Sequence, residues 1–240
     1  MRGFILALTL MSLAACASKQ KETQPAVTKV GIVSLFEDDF AVFSLKPNKK
    51  EKQVSVRTAG WSMNDAFLSA YDTQLKALKR EPIRVNLDSK TVNDMIAEAR
   101  GLKDIYLGDR WQILTQYVLE QAQKQGADYL IMVHPTSSNT YKEYQAGYGI
   151  ACGAPMFKKH EAAAYFLMRA ELWDVRNRKI QSTSTVTPDQ VFSKMAKHCD
   201  LLKKTKSDKL SEESKGSFID MVGKTTDLNL EGLGIKNPLM

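Results

Sequence analysis

The chain has 240 residues, 43% hydrophobic and 25% charged, with a formal net charge of +7 and three cysteines. This composition carries enough apolar surface for a core and excludes a chain too polar to fold. The basic excess is a prior for anionic partners such as lipid headgroups, lipopolysaccharide or cell-wall polymers, and no internal repeat is visible.

The first element is a targeting segment. Met1 and Arg2 give a positive start, and Gly3 to Ala15 (GFILALTLMSLAA) give an apolar run of 13 residues, the layout of a secretory signal. The run is too short to span a membrane, which takes about 20 apolar residues. It ends in Leu13-Ala14-Ala15-Cys16, which resembles the lipobox of bacterial lipoproteins. The resemblance implies acylation of the Cys16 thiol, including palmitate, and cleavage of the bond before it. Two or three acyl chains make anchoring stable where one is marginal. In the enteric form of the sorting rule, aspartate after the cysteine retains a lipoprotein in the inner membrane; Ala17 therefore implies the outer membrane, facing the periplasm. Residues 16–29 read as the lipidated cysteine and a polar tether. Nucleic acid is not an expected partner of an exported chain.

The body is expected to start near Val30. Val30 to Phe36 (VGIVSLF) and Phe40 to Leu45 (FAVFSL) flank Glu37-Asp38-Asp39, a pattern that predicts a β-hairpin. Val54-Ser55-Val56 would add a third strand. Ser62 to Asp65 matches a capping box, and Ala66, Phe67, Ala70, Tyr71, Leu75 and Leu78 follow at helical spacing. Pro82 to Leu87 reads as a strand, and Ser89 as the cap of a helix running through Ala99 to a stop at Gly101. Asp109 to Gln125 predicts a helix with Trp111, Leu114, Val118 and Ala122 on one face, stopped by Gly126. Asp128 to His134 (DYLIMVH) is almost wholly apolar, as suits a strand covered on both faces.

A long loop, Pro135 to Glu161, is expected next. Ala162 to Val175 and Lys179 to Val186 then form a hairpin, with the turn at Asn177-Arg178. Thr187-Pro188-Asp189-Gln190 is a second capping signal, so residues 191–240 are expected to be a lysine-rich helical segment packed on or appended to the 30–190 domain. The fold class is a mixed α/β domain.

Helix, then GADYLIMV, then a strand running into ELWDVRNRKIQS, is similar to the N-terminal domain of the Tol-system propeller protein and to lipoprotein activators of penicillin-binding proteins. In those domains the long strand ends near VD-x-x-T/N-G-x-I, matched here by Asp174, Val175, Asn177 and Ile180, with Arg178-Lys179 standing where glycine and an acid are usual. VGIVSLF and GYGI also resemble small bacterial envelope proteins of unknown function. A shared fold does not imply an activity.

Loops beyond about 12–15 residues are uncommon unless functional or disordered. The 135–161 loop carries Tyr141, Tyr144, Tyr148 and Phe157 between glycines. Two readings stay open: an aromatic partner-binding surface, or a loop folded over the sheet edge with half-buried tyrosines. Once Cys16 is acylated, Cys152 and Cys199 are the remaining thiols, and an oxidising compartment favours a disulfide between them; two buried free thiols are the alternative. His134, His160 and His198 lack metal-ligand spacing, and no nucleophile elbow or paired carboxylates are legible. No metal or other cofactor is expected. The basic run Lys194 to Lys209 reads as a solvated helix face or as a contact with an anionic surface. The functional expectation is a non-enzymatic, acyl-anchored binding or assembly module whose partner is an envelope protein or an anionic polymer or lipid. The alternative is a cryptic cell-wall hydrolase or metal-dependent enzyme.

Overall fold

A computed structural model describes residues 28–45, 54–99, 109–153, 162–195 and 207–236. The signal and lipobox, Gly101, Phe157, His160, His198 and Cys199 lie outside them, as do Lys197, Lys203, Lys204 and Lys206.

The strongest periodic segments fold as their spacing dictates. Helix α1 (Met63–Ala77) starts at Ser62, whose side chain accepts from the Asp65 amide, and buries Met63, Phe67, Tyr71 and Leu75 at intervals of four. Helices α2 (Ser89–Ala99) and α3 (Asp109–Lys124) follow, and α4 (Ser207–Gly232) closes the described chain. The strands are β1 (Lys29–Ser34), β2 (Asp39–Ser44), β3 (Val54–Arg57), β4 (Glu81–Arg84), β5 (Tyr129–Pro135), β6 (Gly147–Cys152), β7 (Ala162–Asp174), β8 (Lys179–Val186) and β9 (Phe192–Met195). Together they form one mixed sheet, so the domain is mixed α/β.

The sheet is organised around β7. Its first half pairs with β6 on one side and β9 on the other; its second half pairs with β5 and β8. Strands β5 and β6 are therefore collinear, since Pro135 lies opposite Met168 and Gly147 opposite Leu167. Strand β1 runs parallel to β5, and β2 parallel to β6, so they form a second collinear pair. Strand β4 flanks β1 and β3 flanks β2. The sheet thus has a lower half and an upper half, joined by the unbroken β7. All the broken ranks part at one level, here called the waist.

This topology corrects two expectations. Strands β1 and β2 are not a hairpin: no register joins them, and each pairs with half of the next rank. The capping signal at Thr187 does form its hydrogen bonds, with the Thr187 amide donating to Gln190 Oε1 at 3.0 Å and the Gln190 amide to the Thr187 carbonyl at 3.0 Å. They close one turn, after which the chain enters β9 instead of a helix. Lys194, expected on a basic helix, accordingly lies in β9.

One face of the sheet carries a core running the length of both halves, from Val30 and Ile32 to Phe166 and Met195, beneath α1 and α4. On the opposite face the lower half packs against α2 and α3 through Val92, Leu114, Val118 and Leu119. Among the described residues the upper half has there a smaller cluster of Ala41, Phe43, Ala151, Tyr165 and Leu167, capped by Tyr144 with Leu45 and Tyr141 beside it.

Candidate functional site: the waist of the sheet

A broken rank leaves backbone groups that must find partners elsewhere, because an unpaired buried polar group is costly. Between β1 and β2 every link is closed by a different element. The Leu35 amide donates to the Val133 carbonyl at 2.9 Å. The Asn64 carboxamide accepts from the Phe36 amide and donates to its carbonyl, both at 2.9 Å. The Tyr148 hydroxyl donates to the Glu37 carbonyl at 2.8 Å, and the amide and hydroxyl of Thr58 donate to the Asp38 carbonyl at 2.7 and 2.9 Å. Phe36 stacks on Phe67 at 5.1 Å and meets Tyr148 edge-on at 5.8 Å.

Between β5 and β6 lies the tyrosine segment, now cut to residues 136–146 because GYGIAC is a fully buried strand. Tyr148 belongs to that strand. Burial, with Asp38, Asp39 and Glu37 nearby, raises its phenol well above the ordinary range. Tyr144 folds back onto Tyr165 at 4.9 Å and Phe43 at 6.2 Å, and burial pushes its phenol up to about 12. Both rings pack into the core, Tyr144 at 8% and Tyr148 at 4% exposure, the half-buried alternative of the two readings rather than an open aromatic patch. Tyr141 remains half-buried. Its hydroxyl donates to Asp189, the main reason its phenol is raised, so it straps the 136–146 segment to the turn between β8 and β9 across β7. The neighbouring Lys142 and Glu143 are exposed.

The waist also holds a His–Glu pair that the sequence shows as residues but not as a pair. His134, last but one in β5, and Glu171 in β7 are 1% and 4% exposed, with His134 Nε2 at 3.5 Å from Glu171 Oε1. The Pro135 carbonyl lies 2.8 Å from Nδ1; a carbonyl only accepts, so Nδ1 bears hydrogen and Nε2 faces the carboxylate. Trp173 Nε1 donates to the other Glu171 oxygen at 3.0 Å, and the Trp111 ring lies 4.5 Å from that of His134. Burial raises the Glu171 carboxyl, but the bond and charge of His134, then Trp173 and Arg169, outweigh it and leave it below its ordinary value. An acid and a base so placed could hand over a proton, yet at this burial no substrate reaches them. They act as a polar joint where β5 meets β7. A signal did exist: Arg169 and Glu171 are charged residues inside an apolar 13-residue strand.

Cys152 ends β6 at 4% exposure and is not a free thiol. Among the described residues no cluster of three or more His, Cys, Asp or Glu side chains could hold a metal ion, and no helix is long and apolar enough to cross a membrane. Away from the waist, Met95, Ile113 and Tyr117 floor a shallow depression between α2 and α3, rimmed by Gln112, Gln116 and Glu120.

No family model matches the chain, and no curated protein matches it in sequence. Among solved structures it is similar to the lipoprotein GNA1162 from Neisseria meningitidis, with 11% identity, 82% of this chain and 99% of that chain covered, and a TM-score of 0.35. It is similar to protein XCC0632 from Xanthomonas campestris, with 9% identity, 90% of each chain covered and a TM-score of 0.41. A third likeness is to the C-terminal domain of LpoB from Salmonella enterica, with 10% identity, 74% and 89% covered and a TM-score of 0.26. These neighbours include bacterial lipoproteins, but likenesses this distant transfer neither activity nor partner to this chain.

Proposed function

We propose that the chain is a bacterial envelope lipoprotein, anchored through acyl chains on Cys16 and serving as a non-enzymatic binding or assembly module at the periplasmic side of the outer membrane. The observation that carries this reading is Leu13-Ala14-Ala15-Cys16 at the end of an export signal, with only 12 residues between Cys16 and the first residue of β1. A body held this close to a bilayer works on what lies beside the membrane, and its partner is an envelope protein or an anionic polymer. The buried setting of His134 and Glu171 supports a scaffold role for the best acid-base pair among the described residues. The reading also bonds Cys152 to Cys199, which would tie the end of β6 to the segment before α4. Of the proposed aromatic partner surface, Tyr141 with Lys142 and Glu143, and Phe157, are what the reading retains.

The decisive experiment is Cys16→Ser. Serine lacks the acylated thiol, so the variant should accumulate as uncleaved precursor without fatty-acid label. Label and membrane retention in the variant would remove the anchor. Turnover by the purified chain that is abolished by one side-chain change would remove the non-enzymatic reading.

A further inference from the structure

The lower end of the sheet is where the tether enters, and the register places its residues in one row: Glu81 beside Lys29, Val30 beside Tyr129, Tyr129 beside Asp174, and Asp174 beside Lys179. Helices α1 and α3 also end here, bringing Lys79, Arg80 and Lys124 to the same rim. Lys29, Lys79, Lys124, Arg176, Arg178 and Lys179 are exposed and Arg80 is half-buried. Against these seven bases stand Glu81, Asp128, Asp174 and Glu120, a local excess of +3. Lys76 and Asp72 form a neutral pair beside them. The outer face of α4 and the turn after it are the reverse, with Asp208, Glu212, Glu213, Asp220, Asp227 and Glu231 against Lys209, Lys215 and Lys224 on the helix and Lys236 beyond it.

A second, independent feature marks the rim. Non-glycine residues seldom adopt positive φ, because Cβ crowds the backbone there. Five described positions with positive φ hold glycine; the two that do not are Lys79, at 56°, and Arg178, at 51°. Both are basic and both sit in turns of this rim. Arg178 contacts Gln116 and Glu120 on α3, which accounts for part of its retention; among the described contacts Lys79 has no such side-chain partner.

We infer that this rim is a membrane-facing surface that lies on anionic lipid headgroups. The inference rests on the acyl anchor proposed above. Twelve residues separate Cys16 from β1, a length that in a random coil spans roughly 20 Å root-mean-square, so the rim is the part of the body held nearest the bilayer. Basic side chains close to an anionic surface are attracted within about a Debye length. Acyl chains fix the position of the chain, and the rim then fixes the orientation of the sheet, with its lower end down and its upper end toward the periplasm.

The test is lysine footprinting of the acylated full chain, reconstituted in vesicles of phosphatidylcholine alone or of phosphatidylcholine with phosphatidylglycerol, and read by mass spectrometry. Lys29, Lys79, Lys124 and Lys179 should react several-fold more slowly on the anionic vesicles, and added salt should abolish the difference. Lys209, Lys224 and Lys236 should react equally on both. Equal labelling of the rim on both vesicles overturns the inference, and so does protection of Lys49, Lys158 and Lys204 in its place. The double variant Arg176→Glu with Lys179→Glu should lose the protection of Lys79 and Lys124 while keeping the circular dichroism of the parent; retained protection also overturns it. The intact mass of the same preparation reports the acyl chains. Their absence removes the anchor, whereas acylation without a lysine contrast removes the rim alone.

Discussion

The two halves of the sheet share their strand ranks but not their cover. The lower half is a sandwich, with α1 and α4 on one face and α2 and α3 on the other. Among the described residues the upper half has no helix on its second face and uses the aromatic residues of a connecting segment, chiefly Tyr144 against Tyr165 and Phe43. A helix supplies many apolar contacts from one periodic stretch, so no single side chain dominates. A loop supplies few, and each of its rings has to be held by hydrogen bonds that fix the backbone around it. The upper half should therefore be the more easily broken of the two by single changes to polar atoms.

The largest expected effect tests whether the halves are separable at all. Phe218 of α4 is fully buried and meets Phe40 at 5.1 Å and Tyr148 at 5.2 Å, on the face common to both halves. Phe218→Ala should cost about 3–5 kcal/mol. If that shared core couples the halves, unfolding in denaturant should remain one transition when followed by tryptophan fluorescence and by circular dichroism; separated transitions would show independent halves. Next comes Cys152→Ser at the far end of the upper half. If Cys152 is bonded to Cys199, the substitution should cost on the order of 2–4 kcal/mol, and labelling without reductant should find no free thiol in the parent. A free thiol at Cys152 or Cys199 would remove the bridge.

The joint between the halves is the third place to press. The Glu171 carboxyl lies below its ordinary value of 4.5, so its contribution to stability is complete above that value. It is lost as pH falls toward and through the lower, folded-state value. Glu171→Gln keeps the shape but removes the charge facing His134, and should cost about 1.5–3 kcal/mol near neutral pH. Thermal melts across the acid range should show the parent converging on the variant as pH drops. A constant gap between the two would show that the carboxylate charge plays no part.

Much of the lower half is legible in the sequence because its signals are local. The four-residue spacing of α1, the apolar face of α3, the unbroken apolar run of β5 and the β7–β8 hairpin each state their own conformation. The upper half depends on pairing between distant segments. VGIVSLF and FAVFSL announce two strands and an acidic link, but a hairpin and a broken rank share that pattern. What decides between them is the binding of Phe36, Glu37 and Asp38 by Asn64, Tyr148 and Thr58, from far along the chain. GYGIAC hid in a loop because a strand buried on both faces does not alternate, and its glycines read as turn residues. Gly149 is needed instead for close approach, since a Cβ there would lie 2.7 Å from the Ala41 carbonyl oxygen. His134 and Glu171 are visible as residues but not as a pair, because only the β5–β7 register joins them.

A smaller effect contrasts the halves at matched chemistry. The Tyr148 hydroxyl donates to the Glu37 carbonyl inside the upper core, whereas the Tyr117 hydroxyl accepts from the Asp88 amide at an exposed site of the lower half. Tyr148→Phe should cost about 1 kcal/mol and Tyr117→Phe less, since water replaces a lost exposed bond but not a buried one. Equal costs, measured by denaturant midpoints at unchanged slope, would mean that the waist bond is as wet as the other.

The smallest effect has the opposite sign. Lys79 closes α1 with φ at 56°, the position after a helix where glycine is most favoured because it lacks Cβ. Lys79→Gly relieves that crowding but gives the unfolded chain more freedom to lose, so a net gain of about 0.5 kcal/mol is expected. Lys79→Ala keeps the crowding and removes only the ammonium, so it should leave stability within about 0.5 kcal/mol of the parent. If the lysine is kept for its charge at the tether end, both variants should weaken the footprint contrast at Lys124 and Lys179 on anionic vesicles, although one is more stable than the parent and the other is not. A side chain retained for folding would give the reverse: Lys79→Gly would fail to stabilise, and the lipid contrast would stay as it was.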